Sequence, residues 1–180
     1  MLVNTRLATR ADLEPMVGLL QELFAIERDF ACDPDKQRQG LEMLLQQPQT
    51  CRVIVVELDG HVVGMCSLHI HVSTAEGAWV GIIEDVVVTR HCRGRGLGRH
   101  LLAAAERTAA YLGLPRLQLL ADQNNGAALT FYRQAGWTRT NLIGLRKTSE
   151  SFGRCPQVTG QACLPARRAA YRKGDRSVVS

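Results

Sequence analysis

Residues 86–102 run from an apolar, β-branched segment into a glycine- and arginine-rich turn, which leads directly into a helical pattern. The turn, residues 93–99, reads RGRGLGR. Glycines at alternate positions let the backbone approach a ligand closely and point several N–H groups in one direction. A helix that starts near Gly96 would aim its positive dipole end at the same place. The stretch therefore predicts a binding site for a phosphate or pyrophosphate group.

Two other phosphate-binding loops do not match this spacing. The Walker loop ends in Gly-Lys-Ser/Thr, and no lysine follows these glycines. The dinucleotide-binding fingerprint has the spacing G-x-G-x-x-G, whereas the glycines here stand at 94, 96 and 98. What remains is an Arg-x-x-Gly-x-Gly pattern, led by Arg93, between a strand and a helix.

A second segment, residues 125–137, reads NGAALTFYRQAGW and carries a separate pattern. It has Asn, then Ala three positions on, then Tyr132 four further, and finally Gly followed by an aromatic residue. A short apolar run at 116–121 reads as a strand, and Asp122 or Asn124 is placed to cap the helix after it. The spacing predicts a strand, a turn and an amphipathic helix that carries a tyrosine on its apolar face.

Together the two segments resemble the signatures of the GCN5-related N-acetyltransferase (GNAT) superfamily. The resemblance covers about residues 3–146. It implies transfer of an acetyl group from acetyl-CoA to a primary amine, by direct attack in a ternary complex. It also implies that the loop holds the pyrophosphate of acetyl-CoA and that the preceding strand pairs with the pantetheine arm. The residues expected to bind acetyl-CoA are Val86, Val87, Val88, Arg93, Gly94, Arg95, Gly96, Leu97, Gly98, Arg99 and Asn125.

The same resemblance assigns the general acid to Tyr132, whose hydroxyl would donate to the CoA sulfur as the thiolate leaves. The proton acceptor is less directly indicated, because Ile82 stands where histone-type members carry their base. Glu84 shares the strand face of Ile82 and is the candidate for proton removal or for binding the substrate ammonium. A base that acts through a water molecule is the alternative. Asp85 is expected on the opposite face, because side chains alternate along a strand.

A metal site is not expected. His69 and His71 stand two positions apart on one predicted strand, but no third ligand accompanies them. The six cysteines form no C-x-x-C pair, which argues against a structural zinc site and against a thioredoxin-like pair.

Hydrophobic periodicity and turn residues predict the order β-α-α-β-β-β-α-β-α-β. This is an α/β (α+β) order, and the resemblance implies the GNAT fold with a mixed central sheet. Asp12 is placed to cap the first helix. The strands are predicted at 2–8, 51–58, 61–72, 79–88, 116–121 and 137–146, and the helices at 13–28, 34–47, 96–112 and 125–135.

The formal net charge of +5 is concentrated at the end of the chain. Residues 1–146 carry 15 basic and 15 acidic side chains, whereas residues 147–180 carry 7 and 2. We therefore expect an N-acetyltransferase domain at 1–146 and a basic, disordered extension at 147–180. A neutral domain argues against nucleic acid as its main partner. No apolar run approaches the roughly 18 residues of a membrane span, and no signal peptide is recognisable, so a cytoplasmic location without a membrane partner is expected.

Two functions remain open at this point. The first is an N-acetyltransferase that acts on a small-molecule or peptide amine, with a homodimer as a possible assembly. The second is a non-catalytic acyl-CoA-binding sensor or regulatory module, which would keep the loop but transfer no acetyl group. The presence of both Tyr132 and Glu84 favours the enzyme.

Overall fold

The computed structural model of this protein describes residues 1–27 and 30–148. The chain divides into two compact units, Met1–Thr140 and Asn141–Ser180. All the helices and strands of the described residues lie in the first unit. Among these residues no helix is both long enough and apolar enough to cross a membrane.

The first unit contains five strands and four α-helices among its described residues. The strands are β1 (Val3–Leu7), β2 (Cys51–Leu58), β3 (His61–Ser73), β4 (Ala78–Val88) and β5 (Leu117–Leu119). The helices are α1 (Leu13–Phe24), α2 (Pro34–Leu45), α3 (Leu97–Tyr111) and α4 (Gly126–Gln134), with single 3-10 turns at Arg10–Asp12 and Arg90–Cys92. These elements confirm the predicted order up to the last helix, with bounds that differ by a few residues.

The five strands form one mixed sheet in the order β1-β2-β3-β4-β5. The first three pairings are antiparallel, and β4 pairs with β5 in parallel. The parallel pairing follows from the chain path, because α3 carries the chain back across the sheet between these two strands. Leu119, the last residue of β5, pairs with Ile83, so β4 continues past the end of β5 to Val88.

Alternation along β2 divides the core into two layers. Val53 and Val55 point toward α1 and α2, in a cluster with Met16 and Leu20. Ile54 and Val56 point to the other face, where α3 and the side chains of α4 pack. A strand that is buried on both faces needs a nearly continuous apolar run, and residues 51–58 supply one.

Strand β4 contains an irregularity close to its carboxyl end. Met65 is paired with Val87 and Ser67 with Glu84, so the register between β3 and β4 shifts between these pairs. Asp85 lies in the shift and has a φ of +54°, in the left-handed region that residues with a Cβ rarely adopt. The extra residue is a β-bulge, a feature that redirects side chains and often borders an active site.

The predicted last strand, 137–146, is wrong for these residues, because the structure gives them no strand. Leu142 and Ile143 are 77% and 78% exposed. They are adjacent in sequence and cannot share one strand face, and Gly144 follows them directly, so the segment lacks the alternation that would bury one face. The predicted extension 147–180 lies outside the described residues apart from its first two positions.

Two helix caps also differ from the prediction. Asp12 occupies the N-cap position of α1, but its carboxylate makes no cap and instead accepts hydrogen bonds from Arg6 and Thr9. Helix α4 is capped by Asn125, whose Oδ1 accepts from the Ala128 N–H at 3.0 Å. The predicted caps at Asp122 and Asn124 are therefore wrong, because the helix begins one residue later.

Candidate functional site

A cleft of about 160 Å³ lies between the carboxyl end of β4, the start of α4 and the end of α1. Polar groups contribute much of its surface, although valines and leucines form its walls. The residues that line it are Leu23, Ile26, Glu27, Val86, Val87, Val88, Arg93, Leu120, Ala121, Asp122, Asn125, Ala128 and Tyr132. The structure thus brings the strand, the loop arginine, the asparagine and the tyrosine of the two sequence motifs to one opening.

The predicted phosphate loop connects this cleft to the N-terminus of α3. Gly94 and Gly96 have φ values of +76° and +79°, so the turn requires glycine at both positions. Leu97 begins the helix and is buried, while Arg95 and Arg99 are exposed. The first N–H groups of a helix have no partner inside it. The loop therefore offers unpaired backbone donors with two exposed cations beside them, a combination suited to a pyrophosphate.

Arg93 is held by the protein itself. Its Nε donates to the carbonyl oxygen of Val88 at 2.8 Å, and its Nη2 lies 3.7 Å from a carboxylate oxygen of Glu22. The guanidinium thus connects the end of β4 to the loop and to α1. It also lines the cleft, so its charge remains close to the expected ligand.

Glu22 is a site residue that the sequence analysis missed. It accepts a hydrogen bond from Thr89 Oγ1 at 2.5 Å and another from the Arg90 N–H at 2.8 Å. Burial raises the pKa of Glu22, but these two hydrogen bonds and the charge of Arg93 outweigh burial and hold that pKa below its ordinary value. A charged Glu22 therefore anchors the entry to the phosphate loop on α1. No sequence spacing links positions 22 and 89, so only the fold reveals the contact.

Tyr132 is partly buried where α4 faces β4. Its ring contacts Phe131 at 5.2 Å and Trp137 at 6.5 Å between centroids. Burial, with smaller contributions from Cys66 and Glu27, raises the pKa of Tyr132 to about 12. The phenol is therefore protonated at neutral pH and can donate a hydrogen bond or a proton, but it cannot act as a base there.

Asn125 lines the cleft and caps α4 at the same time. Its carbonyl oxygen is used by the cap, which leaves its amide N–H groups for a ligand. The side chain thus fixes the junction between β5 and α4 and holds Tyr132 in its position on the helix.

The expected separation of Glu84 and Asp85 onto opposite faces is wrong, because of the bulge in β4. His69 Nε2 lies 3.3 Å from Glu84 Oε2 and 3.1 Å from Ser67 Oγ. Ser67 Oγ in turn donates to Asp85 Oδ2 at 3.4 Å. Both carboxylates therefore meet the same Ser67–His69 pair. Sequence reasoning paired His69 with His71 instead, although the alternate positions 67 and 69 on one strand contained the signal.

Two further observations concern other parts of the described chain. No group of three or more His, Cys, Asp or Glu side chains that could hold a metal ion is present in residues 1–27 and 30–148. A larger cavity of about 380 Å³ lies between β1, β2 and the second half of α3. None of the residues predicted to bind acetyl-CoA or to act in catalysis lines that cavity. Those predicted site residues that line a cavity line the smaller cleft.

The sequence model of the Acetyltransferase (GNAT) family matches residues 19–137, which include both motifs and the cleft. This chain belongs to the GNAT acetyltransferase family. Its fold class is confirmed by the same comparison and by solved GNAT structures, which share the mixed open sheet. The chain is an acyltransferase by its family, and the family's activity is acetyl transfer to amines.

Individual relatives agree with this membership. The aminoalkylphosphonate N-acetyltransferase of Salmonella typhimurium is 30% identical over 137 residues, which cover 76% of this chain and 86% of that one. A putative acetyltransferase from Agrobacterium tumefaciens is 25% identical with a TM-score of 0.70, over 81% of this chain and 99% of the other. The aminoglycoside N-acetyltransferase AAC(6')-Iy, solved in complex with CoA, is 19% identical. It shares the fold with a TM-score of 0.70, over 82% of this GNAT chain and 95% of its own.

Proposed function

We propose that this GNAT protein transfers the acetyl group of acetyl-CoA to a small primary amine by direct attack in a ternary complex. The observation that carries the proposal is the position of Tyr132. Tyr132, whose phenol is protonated at neutral pH, lines the cleft that also contains Val86–Val88 and Arg93. A cleft lined by both a proton donor and the loop arginine suits acetyl-CoA, which carries a leaving sulfur and a pyrophosphate on one molecule.

The cleft fits acetyl-CoA on chemical grounds. The unpaired N–H groups and exposed arginines of residues 93–99 suit the pyrophosphate. The strand end Val86–Val88 offers backbone groups to the two amides of the pantetheine arm. The chemistry that acetyl-CoA supplies is an activated thioester. Tyr132 donates its proton to the departing sulfur, which a phenol can do because a thiolate is basic enough to accept it.

The acceptor is proposed to be a small ammonium compound. Glu27 lines the cleft together with Tyr132, so a carboxylate borders the proposed acceptor position. Negative charge at the entrance favours the approach of a cationic amine. The relative named for aminoalkylphosphonates supports trying such amines first, and the solved relative named for aminoglycosides supports including them in the same panel. We place the catalytic domain in residues 1–146.

The test is an assay of thiol release from acetyl-CoA over a panel of aminoalkylphosphonates, aminoglycosides and simple diamines. We expect release with at least one amine, and a loss of about 100-fold in turnover for Tyr132→Phe with little change in acetyl-CoA affinity. Tyr111→Phe is the matched control, since Tyr111 is 89% exposed on α3. Binding of acetyl-CoA without release from any amine would favour the sensor function. Equal turnover of the Tyr132 variant and the wild type would remove Tyr132 as the acid.

A further inference from the structure

The cavity between β1, β2 and the second half of α3 is separate from the cleft that contains Tyr132. Its volume of about 380 Å³ lies in the range of small-molecule sites, and the two openings share no lining residue among those that the structure describes. Three of the described residues that line the cavity are arginines, and none of them is an aspartate or a glutamate. Since residues 1–146 carry equal numbers of basic and acidic side chains, this excess of positive charge is local.

The charge of Arg6, the first of these arginines, is already neutralised. Its two terminal nitrogens donate to the carboxylate of Asp12 at 2.7 and 2.8 Å, and Nη2 also donates to Glu57 at 2.6 Å. Val55, which pairs with Arg6 across the two strands, belongs to the core cluster under α1. Arg6 therefore stabilises the other face of the sheet and leaves the cavity to the remaining two arginines.

Arg52 and Arg107 have no such counter-ion. Arg52 is half-buried, and its Nη1 donates to the carbonyl oxygen of Cys51 at 2.9 Å. Arg107 Nη2 donates to Thr5 Oγ1 at 3.5 Å. Within residues 1–27 and 30–148 neither guanidinium forms an ion pair with a carboxylate. Most N–H donors of both side chains, and the O–H of Thr5, are therefore available to a ligand.

The cavity also has apolar walls. Ile54 and Leu7 pair across β1 and β2, and Ile54 belongs to the core cluster on the α3 side of the sheet. Ile54 is buried, whereas Leu7 is 52% exposed and Tyr111, on α3, is 89% exposed. A single exposed apolar residue is ordinary on a protein surface. Here the exposed leucine and tyrosine line the same opening as two arginines without a counter-ion.

The strand register places the apolar wall between the two arginines. Arg52 precedes Ile54 by two residues on β2, so both side chains are on the α3 face. Thr5, which Arg107 contacts, pairs with Val56, two residues beyond Ile54 in the other direction. The cavity therefore has positive charge toward both ends and apolar surface in the middle. A half-buried cation without a partner is costly, and a ligand that brings negative charge offsets that cost.

We propose that this cavity binds a small organic anion, a phosphate ester or a carboxylate on a flat apolar body. Arg107 and Thr5 hold the anionic group, Ile54 and Leu7 contact the apolar body, and Arg52 adds positive charge from the opposite end. A guanidinium suits this role because its fork of N–H donors matches the oxygens of phosphate and carboxylate groups. The inference concerns a site outside the cleft and does not rest on the proposed function.

The test is calorimetric titration of the full chain with 2-naphthyl phosphate and with 2-naphthoate, and 2-naphthol serves as the neutral control. We expect at least one of the two anions to bind at one site with a Kd below about 1 mM, and no binding of 2-naphthol at the same concentrations. Saturating acetyl-CoA should leave the affinity for the anion unchanged, since the cavity and the cleft share no lining residue.

Variants locate the anion in the cavity. Arg107→Ala should weaken binding about 10-fold and Thr5→Val about 3-fold, because the first removes a charged donor and the second a neutral one. Arg52→Ala should also weaken binding several-fold, and thermal unfolding shows whether this half-buried position still folds. If it does not, Arg107→Ala and Thr5→Val decide the matter. Arg133→Ala, an exposed arginine on α4 that does not line the cavity, should bind the anion like the wild type.

Four results would overturn the proposal. They are failure of both anions to bind the wild type, equal affinity for 2-naphthol, undiminished binding to Arg107→Ala, and displacement of the anion by acetyl-CoA. The last result would place the anion in the cleft and leave the proposed function standing. Conversely, a protein that acetylates no amine of the panel can still bind the anion, so the two proposals fail separately.

Discussion

Gly98, in the first turn of α3, lies directly against the ring of Phe131 in α4. A Cβ at position 98 would meet the ring carbons at 3.1 and 3.3 Å. A Cβ at position 98 would therefore require the ring of Phe131 to shift by a few tenths of an ångström. Through this contact the helix that begins at the phosphate loop and the helix that carries Tyr132 are held together.

Substituting Gly98 by alanine should loosen this contact. We expect Gly98→Ala to destabilise the fold by about 1–3 kcal/mol, because the added methyl group forces the ring of Phe131 to move. Gly18→Ala in α1 is the control, since among the described residues nothing outside the helix's own backbone lies within 4 Å of a Cβ there. That control should gain up to about 1 kcal/mol from helix propensity. Urea unfolding measures the stability of each variant against that of the wild type. A Gly98→Ala protein as stable as the wild type would show that position 98 tolerates a side chain.

Glu22 should matter for cofactor affinity although it does not line the cleft. Replacement by glutamine removes the charge that holds Thr89, Arg90 and Arg93. We expect Glu22→Gln to weaken acetyl-CoA binding by about 10-fold, since hydrogen bonds to a charged group contribute about 1.5–3 kcal/mol. Glu14→Gln on the same helix is the matched control, because Glu14 pairs with Arg38 at the surface, away from the loop. Unchanged affinity of the Glu22 variant would remove it as the anchor of the loop.

The ion pair of Asp12 with Arg6 should make the free energy of unfolding depend on pH in the acid range. The hydrogen bonds from Arg6 are the main cause that lowers the pKa of Asp12 from 3.8 to about 2. A carboxylate whose pKa is lowered in the folded state stabilises the fold fully when the pH is above its pKa in the unfolded chain. This stabilisation is lost as the pH falls through its pKa in the folded protein. Asp12→Asn should therefore cost about 2 kcal/mol at neutral pH and almost nothing near pH 2. Unfolding curves at several pH values test this, and a cost that stays constant with pH would contradict it.

The cysteines offer a chemical probe of the loop. Burial raises the pKa of Cys51 to about 11 and that of Cys66 to about 12, so both thiols should resist alkylation in the native protein. Cys92 is half-buried beside the phosphate loop and Cys32 is exposed. We expect acetyl-CoA to slow the alkylation of Cys92 at least several-fold while that of Cys32 is unchanged, as followed by peptide mass mapping. Equal rates at Cys92 with and without acetyl-CoA would move the ligand away from the loop.

Local patterns in the sequence were sufficient for most of the fold. Turn glycines, valine-rich runs and helical spacing predicted the elements up to α4, because each has its own periodicity and end signals. The strand expected at 137–146 failed because neither face of that segment becomes buried. The cytoplasmic location, the homodimer and the domain boundary at 146 stay predictions.

The candidate site was likewise predicted in part. The two motifs lie on contiguous residues and were predicted together with Tyr132. Glu22 and Ser67 were missed because their partners, Thr89 and Asp85, lie far along the chain. The bulge in β4 has no sequence signal of its own, and it is the bulge that directs Asp85 toward Ser67. Contacts set by sheet register require the folded structure.

The central claim is that residues 93–99 hold acetyl-CoA, and a calorimetric titration tests it most directly. The wild type should bind acetyl-CoA with saturation at one site, and Gly96→Glu should show no binding, because a charged side chain at a φ of +79° blocks the loop. Gly77→Glu, at another turn with a φ of +60°, should bind like the wild type. Absence of binding to the wild type, or undiminished binding to Gly96→Glu, would contradict the account.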